Sequence, residues 1–237
     1  MINEVIRYNI IENKNPREIV LLKGNRCIWG KCTFCDYIKD NSDNELDMIC
    51  FNSTILKNIT GEKGVLEVIN SGSVFELPNE TLYEIRDIVK NKEIKLLFFE
   101  SYWSYRNRLN EIREFFNIPI IFKNGVETFN NYFRNNILKK GVIFKNPKEV
   151  ADYFNSICLL VGIEGQTKEM IDYDIECLLK YFEYGCINIF VDNTTNIKAD
   201  YELIRWFKEK YSYIDKEYSN IEILWNNTDF GVGGLIK

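Results

Sequence analysis

The chain has 237 residues, a net charge of −5 and no histidine. This length suits a single α/β domain, and the 46% apolar content is enough for a large core. The acidic balance disfavours a nucleic-acid partner, which requires a basic face. No apolar run is long enough to span a membrane and the N-terminus lacks a secretory pattern, so we expect neither a membrane protein nor an exported one. Seven unevenly spaced cysteines favour free thiols in a reducing cytoplasm over a disulfide framework.

Six apolar runs of strand length recur along the chain. They are nearly continuous, as expected for parallel strands that are covered on both faces. In chain order they are Ile19–Leu22, Val65–Ile69, Ile94–Phe99, Ile118–Phe122, Ile157–Val161 and Ile187–Val191. A further run, Ile221–Trp225, predicts a final strand near the C-terminus.

The segments between these runs have a helical period of apolar residues. Pro147 is suited to a first helical turn, and Thr167 and Asp200 are predicted N-caps. The long polar region Asp36–Lys63, which contains the cluster SDNELD, is expected to wrap over the site that follows the cysteines.

Six strand–helix units imply parallel strands joined by right-handed crossovers. They are fewer than the eight units of a closed barrel. The predicted fold class is therefore α/β, a partial (β/α)6 barrel of parallel strands with outer helices. No linker divides the chain, so we predict a single domain over residues 1–237, with its core at about 19–206 and a C-terminal extension at 207–237.

Three cysteines, Cys27, Cys32 and Cys35, lie in the segment GNRCIWGKCTFCDY directly after the first predicted strand. A structural zinc site needs four ligands, and with no histidine the fourth would have to be the poorly spaced Cys50. Three thiolates with one open position suit a [4Fe–4S] cluster whose fourth iron binds another molecule. The other cysteines fall on predicted strands and a helix, where buried thiols are expected: Cys158, Cys177 and Cys186.

Polar and glycine-containing motifs follow the ends of the predicted strands, where ligands bind in barrels of this kind. In chain order they are NSGS at 70–73, ESYW at 100–103, KNGVET at 123–128, GIEGQT at 162–167 and DNTT at 192–195. Because the carboxyl ends of parallel strands meet at one edge, the sequence predicts a ligand site at this rim.

The ordered set of motifs resembles the radical S-adenosylmethionine superfamily, and within it the subgroup of Elongator-type and archaeosine-synthase-type enzymes. The resemblance spans about Ile19 to about Trp206 and includes LKKG at 138–141, whose Lys139 and Lys140 are interpreted as solvated surface charges. One departure is the cysteine spacing, which is C-x4-C-x2-C here and C-x3-C-x2-C in the family.

The resemblance implies a [4Fe–4S] cluster held by the three cysteines, with S-adenosylmethionine chelating its open iron. It assigns Asn70, Ser71, Gly72 and Ser73 to the turn that holds the methionyl amino group, Glu127 to the ribose, and Phe34 and Tyr37 to the adenine. It also implies an electron donor such as flavodoxin or ferredoxin, and a 5′-deoxyadenosyl radical that removes a hydrogen from an unactivated carbon.

The predicted rim combines carboxylates with aromatic rings, which suits a small guanine-like heterocycle. Compact superfamily members that this chain resembles include lyases that cleave free queuine and release the aminomethyl deazaguanine precursor for queuosine salvage. The expected reaction is therefore cleavage of a C–N bond in a deazapurine. Candidate catalytic residues are Glu100 and Asp192, and candidate substrate-binding residues are Glu100, Tyr102, Trp103, Asp192 and Asn193.

Two other functions stay open on the sequence. One is a radical S-adenosylmethionine enzyme that modifies tRNA or another metabolite, which a basic rim would favour. The other is a non-catalytic metal-binding or redox module, which zinc without iron would favour.

Overall fold

A computed structural model describes residues 5–226 and 229–234. The chain divides into two compact units. The first takes its described residues from 1–30, 37–122 and 228–237, and the second from 31–36 and 123–227. The single domain predicted over residues 1–237 stays a prediction.

The first unit is built on strands that follow one another in chain order. Parallel pairing joins β2 to β3 and β3 to β4 as predicted, whereas β1 pairs antiparallel with β2. β1 was not predicted, because it is a short, partly exposed strand without a continuous apolar run. The elements are β1 (Tyr8–Ile11), β2 (Arg17–Leu22), α1 (Glu45–Leu56), β3 (Val65–Asn70), α2 (Asn79–Asn91), β4 (Leu96–Glu100) and α3 (Leu109–Phe116).

The second unit continues with parallel strands, and the division between the units falls within β5. The predicted caps are confirmed, since the hydroxyl of Thr167 accepts a hydrogen bond from the Met170 amide and the carboxylate of Asp200 accepts one from the Leu203 amide. After β5, a π-helical turn at Phe133–Ile137 stands where a helix was predicted. The elements are β5 (Ile120–Glu127), α4 (Pro147–Ala151), β6 (Ser156–Val161), α5 (Lys168–Tyr181), β7 (Tyr184–Ile189), α6 (Tyr201–Tyr211), α7 (Ile214–Glu217) and β8 (Ile221–Leu224).

The polar region Asp36–Lys63 contains a helix, α1, that was not predicted from the sequence. The Asn44 side chain caps the helix by accepting a hydrogen bond from the Asp47 amide at 3.2 Å. Acidic residues in the first turn interact favourably with the helix dipole. The charged cluster SDNELD therefore marks the start of α1.

The amino ends of β2 and β3 are closed by buried charged groups. Arg17 and Glu67 form an ion pair with almost no exposure to solvent. Next to them, Glu18 accepts hydrogen bonds from the Tyr8 hydroxyl and from the amides of Thr60 and Gly61, at 2.6–2.8 Å. Among the described helices, none is both long and apolar enough to cross a membrane.

Candidate functional site

The turn after β3 is tied to the segment after β4. The Asn70 side-chain amide donates to the carbonyl of Ser73 at 3.1 Å, which closes the NSGS turn. The buried hydroxyl of Ser73 lies 3.3 Å from that of Ser101 and accepts a hydrogen bond from the Tyr102 amide at 3.3 Å. The motifs predicted at the ends of the second and third strands are therefore in contact.

Cys27 lies against the same turn, and two glycines make this approach possible. A side chain at Gly72 would collide with the carboxylate of Glu76 and stand 3.4 Å from the Cα atom of Cys27. A side chain at Gly24 would stand only 2.6 Å from the side-chain amide of Asn70. The first unit thus brings the first predicted cluster ligand and the predicted methionyl-binding turn together.

Glu76 is a residue of this region that the sequence analysis missed. It is only 5% exposed. One carboxylate oxygen accepts from the Ile28 amide at 2.9 Å and the Tyr105 hydroxyl at 3.3 Å, and the other accepts from the Ser73 amide. Burial raises the pKa of Glu76 against the opposing effect of these hydrogen bonds. The spacing Ser73-x-x-Glu76, a capping-box pattern, was the signal that could have found it.

The aromatic residues after β4 occupy different environments. The Tyr102 ring stacks with Trp29 of the cysteine loop, with a centroid distance of 6.2 Å and an interplanar angle of 16°. Trp103 is 5% exposed and has the Arg106 guanidinium 4.6 Å from its ring centroid. Glu100 ends β4 and is partly exposed. Tyr102 and Glu100 are therefore at the rim, whereas Trp103 is packed in the interior.

In the second unit, the other two cysteines lie in a turn, where the Cys35 amide donates to the carbonyl of Cys32 at 3.4 Å. Thr33 fixes this turn to the π-helical segment, because its hydroxyl donates to the carbonyl of Ile137 at 2.8 Å. Phe34 packs on an apolar cluster that includes Phe133 and Leu138. Tyr37, by contrast, belongs to the first unit and is 66% exposed.

The loop after β7 also holds the cysteine segment. The Asn193 side-chain amide donates to the carbonyl of Phe34 at 2.8 Å, and the Thr194 hydroxyl donates to the Asp36 carboxylate at 3.0 Å. Asp192 is exposed and accepts a hydrogen bond from the Ala199 amide at 2.8 Å. Asn193 and Asp192, predicted to bind substrate, thus organise their own loop and its contact with the cysteines.

Glu127 forms a buried ion pair with Lys140, at 2.7 Å between carboxylate and ammonium. Glu127 has a left-handed backbone, with a φ of 65°. Gly125 makes room for the pair, because a Cβ atom there would lie 2.6 Å from the carboxylate and 2.9 Å from the ammonium. The interpretation of Lys140 as a solvated surface charge is therefore wrong.

Lys140 also places its positive charge near the cysteines. Burial opposes this charge, but Glu127 and the thiols of Cys32 and Cys35 outweigh that effect and raise the pKa of the ammonium. The ammonium lies 5.6 Å from the ring centroid of Phe34. Lys140 therefore places a cation beside two of the three predicted cluster ligands.

Comparisons with known proteins identify the family. No protein-family model matches the chain. An uncharacterized protein of Methanocaldococcus jannaschii is 25% identical over 194 residues, which are 72% of this chain and 53% of that relative, so the chain spans about half the length of the curated relative that it matches. A solved structure, the queuine lyase from Clostridium spiroforme bound to S-adenosylmethionine and queuine, is 50% identical, with a TM-score of 0.95 over 98% of this chain and 100% of that chain. The chain belongs to the queuine lyase family.

This membership confirms two predictions from the sequence. The queuine lyase likeness supports the radical S-adenosylmethionine superfamily, and it confirms an α/β fold of the partial-barrel type. The roles of individual residues stay predictions.

The residues present suit the cofactors of the queuine lyase family. None of the seven cysteines forms a disulfide, and the three in the cysteine loop are partly exposed. Ser71 in the NSGS turn has a buried hydroxyl that lacks a hydrogen-bond partner among the described atoms, so it can bind a ligand group. Within the described residues, no three His, Cys, Asp or Glu side chains form a site for one metal ion. A cluster does not require such a site, since each thiolate binds a different iron.

A buried network of hydrogen bonds holds the end of the GVET motif at residues 125–128. The Asp174 carboxylate accepts a hydrogen bond from the Phe129 amide at 2.6 Å, and the Arg134 guanidinium donates to the carbonyls of Thr128 and Val142 at 2.8 and 3.1 Å. Burial raises the pKa of Asp174 to about 7, although the Phe129 amide, the Thr128 hydroxyl and the charge of Arg134 oppose it.

This raised pKa predicts a pH-dependent stability. Between about pH 4, where an unfolded Asp titrates, and about pH 7 the folded chain binds more protons at Asp174 than the unfolded chain does. The contribution of Asp174 to the free energy of unfolding should therefore fall as the pH rises through this range, by about a few kcal/mol, and stay constant above it. Asp174→Asn cannot ionise, so we expect its stability relative to wild type to rise over the same range in urea unfolding. A difference that is independent of pH would contradict this prediction.

Proposed function

We propose that the protein is a radical S-adenosylmethionine queuine lyase that cleaves a C–N bond of queuine and releases the aminomethyl deazaguanine precursor for queuosine salvage. The observation that carries this proposal is the likeness to a solved queuine lyase, at 50% identity and a TM-score of 0.95 over 98% of the chain.

The cofactors would be held by the cysteine loop and the strand ends. In this proposal Cys27, Cys32 and Cys35 bind the [4Fe–4S] cluster, and Asn70–Ser73 and Glu127 bind S-adenosylmethionine, with Phe34 and Tyr37 near its adenine. When bound, the two cofactors supply the 5′-deoxyadenosyl radical that removes a hydrogen from queuine. The buried hydroxyl of Ser71, which has no hydrogen-bond partner within the described part of the chain, supports a role of this turn in binding the methionyl amino group.

We assign the substrate contacts to the ends of β4 and β7. Glu100 is the better candidate for reading the amino edge of the deazaguanine, because it ends β4 next to the Trp29–Tyr102 ring stack. Asp192 uses one carboxylate oxygen to hold its own loop, and Asn193 holds the cysteine segment. We therefore assign these two residues first to holding the loop and only second to contacting the substrate. The interior Trp103 supports the position of Tyr102.

We also propose a cytoplasmic location and a small electron-transfer protein, such as flavodoxin or ferredoxin, as reductant. Seven cysteines without a disulfide among them suit a reducing compartment. The net charge of −5 argues against a nucleic-acid partner.

The test is an anaerobic reaction of the reconstituted enzyme with reductant, S-adenosylmethionine and queuine. We expect 5′-deoxyadenosine, methionine and the aminomethyl deazaguanine product to appear together, detected by mass spectrometry. Reactions without queuine or without S-adenosylmethionine are the controls. Formation of 5′-deoxyadenosine without consumption of queuine would reject the substrate and keep the superfamily, whereas zinc without iron in the purified protein would reject both.

A further inference from the structure

We propose that Glu76 is a positioning residue that joins the cysteine loop to the NSGS turn and so holds Cys27 and the methionyl-binding turn in one geometry. This inference rests on the proposed function, because it assigns the two joined segments to the cluster and to S-adenosylmethionine. Glu76 itself lies outside both motifs.

The contacts of Glu76 flank Cys27 on both sides. Its main-chain carbonyl accepts a hydrogen bond from the Asn25 amide at 2.8 Å, and its side chain accepts one from the Ile28 amide at 2.9 Å. The cysteine loop is thus fixed two residues before Cys27 and one residue after it.

The other carboxylate oxygen fixes the NSGS turn. It accepts a hydrogen bond from the Ser73 amide, and it packs so closely on Gly72 that a side chain there would collide with it. Both oxygens of Glu76 are therefore occupied by groups of the protein, which is the pattern of a support rather than of a ligand-binding carboxylate.

Only a carboxylate satisfies this arrangement. Two backbone amides on separate segments each need an acceptor oxygen, and the Tyr105 hydroxyl adds a third donor at 3.3 Å. A glutamine would accept on one side but place an NH₂ group against the opposing amide. The variant therefore loses one charge-assisted hydrogen bond at a buried position. Either the cysteine loop or the NSGS turn should then no longer be held by residue 76.

The test compares Glu76→Gln with Glu80→Gln, an equal change of charge on an exposed residue of α2. All three cluster thiols remain in both variants, so iron and sulfide after anaerobic reconstitution should equal those of wild type. We expect Glu76→Gln to bind S-adenosylmethionine about tenfold more weakly, the equivalent of one lost hydrogen bond to a charged group, and to keep the KM for queuine. Glu80→Gln should bind it as wild type does.

Unchanged affinity of Glu76→Gln for S-adenosylmethionine would overturn the inference. If that variant does not fold, Tyr105→Phe decides instead, because it removes only the third donor; a smaller loss of affinity supports the inference and no loss overturns it. Failure of the wild-type protein to bind iron or S-adenosylmethionine would instead overturn the proposed function, so the two failures are distinguishable.

Discussion

Replacing Cys32 with alanine is expected to abolish both the iron–sulfur cluster and the formation of 5′-deoxyadenosine. The proposed site has three thiolate ligands and a fourth iron reserved for S-adenosylmethionine, so no protein ligand remains to compensate for a lost cysteine. Iron and sulfide analysis after anaerobic reconstitution, together with the visible absorption of the cluster, measures the first effect.

The matched control for this experiment is Cys50→Ala. Cys50 is exposed on α1 and lies outside the cysteine loop. This variant should keep the iron content and turnover of wild type. A full cluster in Cys32→Ala, or a loss of iron in Cys50→Ala, would contradict the assignment of the ligands.

Lys140→Met is expected to lower both stability and turnover. The substitution leaves Glu127 as a buried carboxylate without its cation, and breaking such a pair costs about 3 kcal/mol or more. It also removes the positive charge beside the thiols of Cys32 and Cys35. Since displacement of a cofactor-binding group by about 1 Å can lower a rate 100-fold, we expect a loss of turnover of about that size.

Two further variants separate these effects. Lys139→Met changes the exposed neighbour and should leave both properties near wild type. The double variant Glu127→Gln/Lys140→Met removes both charges and should recover most of the free energy of unfolding but not the turnover. Full activity of the double variant would argue against a role of the ion pair in the site.

The strands of the parallel sheet were predictable because each is a nearly continuous apolar run. Their period and composition depend on local burial, and β6, for example, is buried at every position. In contrast, β1 is only four residues long and pairs with β2 through backbone hydrogen bonds. Such pairing does not require a particular pattern of side chains, so the sequence does not indicate this strand. The N-cap of α1, Asn44, is a residue type that favours helix starts, but it lies within the charged cluster SDNELD and was not recognised as a cap.

The candidate site was predictable where it consists of short contiguous motifs. The three cysteines and the NSGS and GVET turns are such motifs, since metal ligation and close backbone approach require particular residues at particular spacings. The supporting residues were not predictable in this way. Asn193 was assigned to substrate because it follows a strand, yet its side chain holds the carbonyl of Phe34 across 159 residues.

The sequence by itself determined the parallel α/β pattern and the family, and it predicts the thiol ligands, because apolar periodicity and motif spacing are local properties of the chain. Only the tertiary structure decided what surrounds Lys140 and Glu76. Lys140 pairs with Glu127 across 13 residues, and Glu76 binds the Ile28 amide across 48 residues. Whether a charged side chain is solvated or buried depends on such distant partners, so the same Lys-Lys pair and the same glutamate could equally have belonged to a surface.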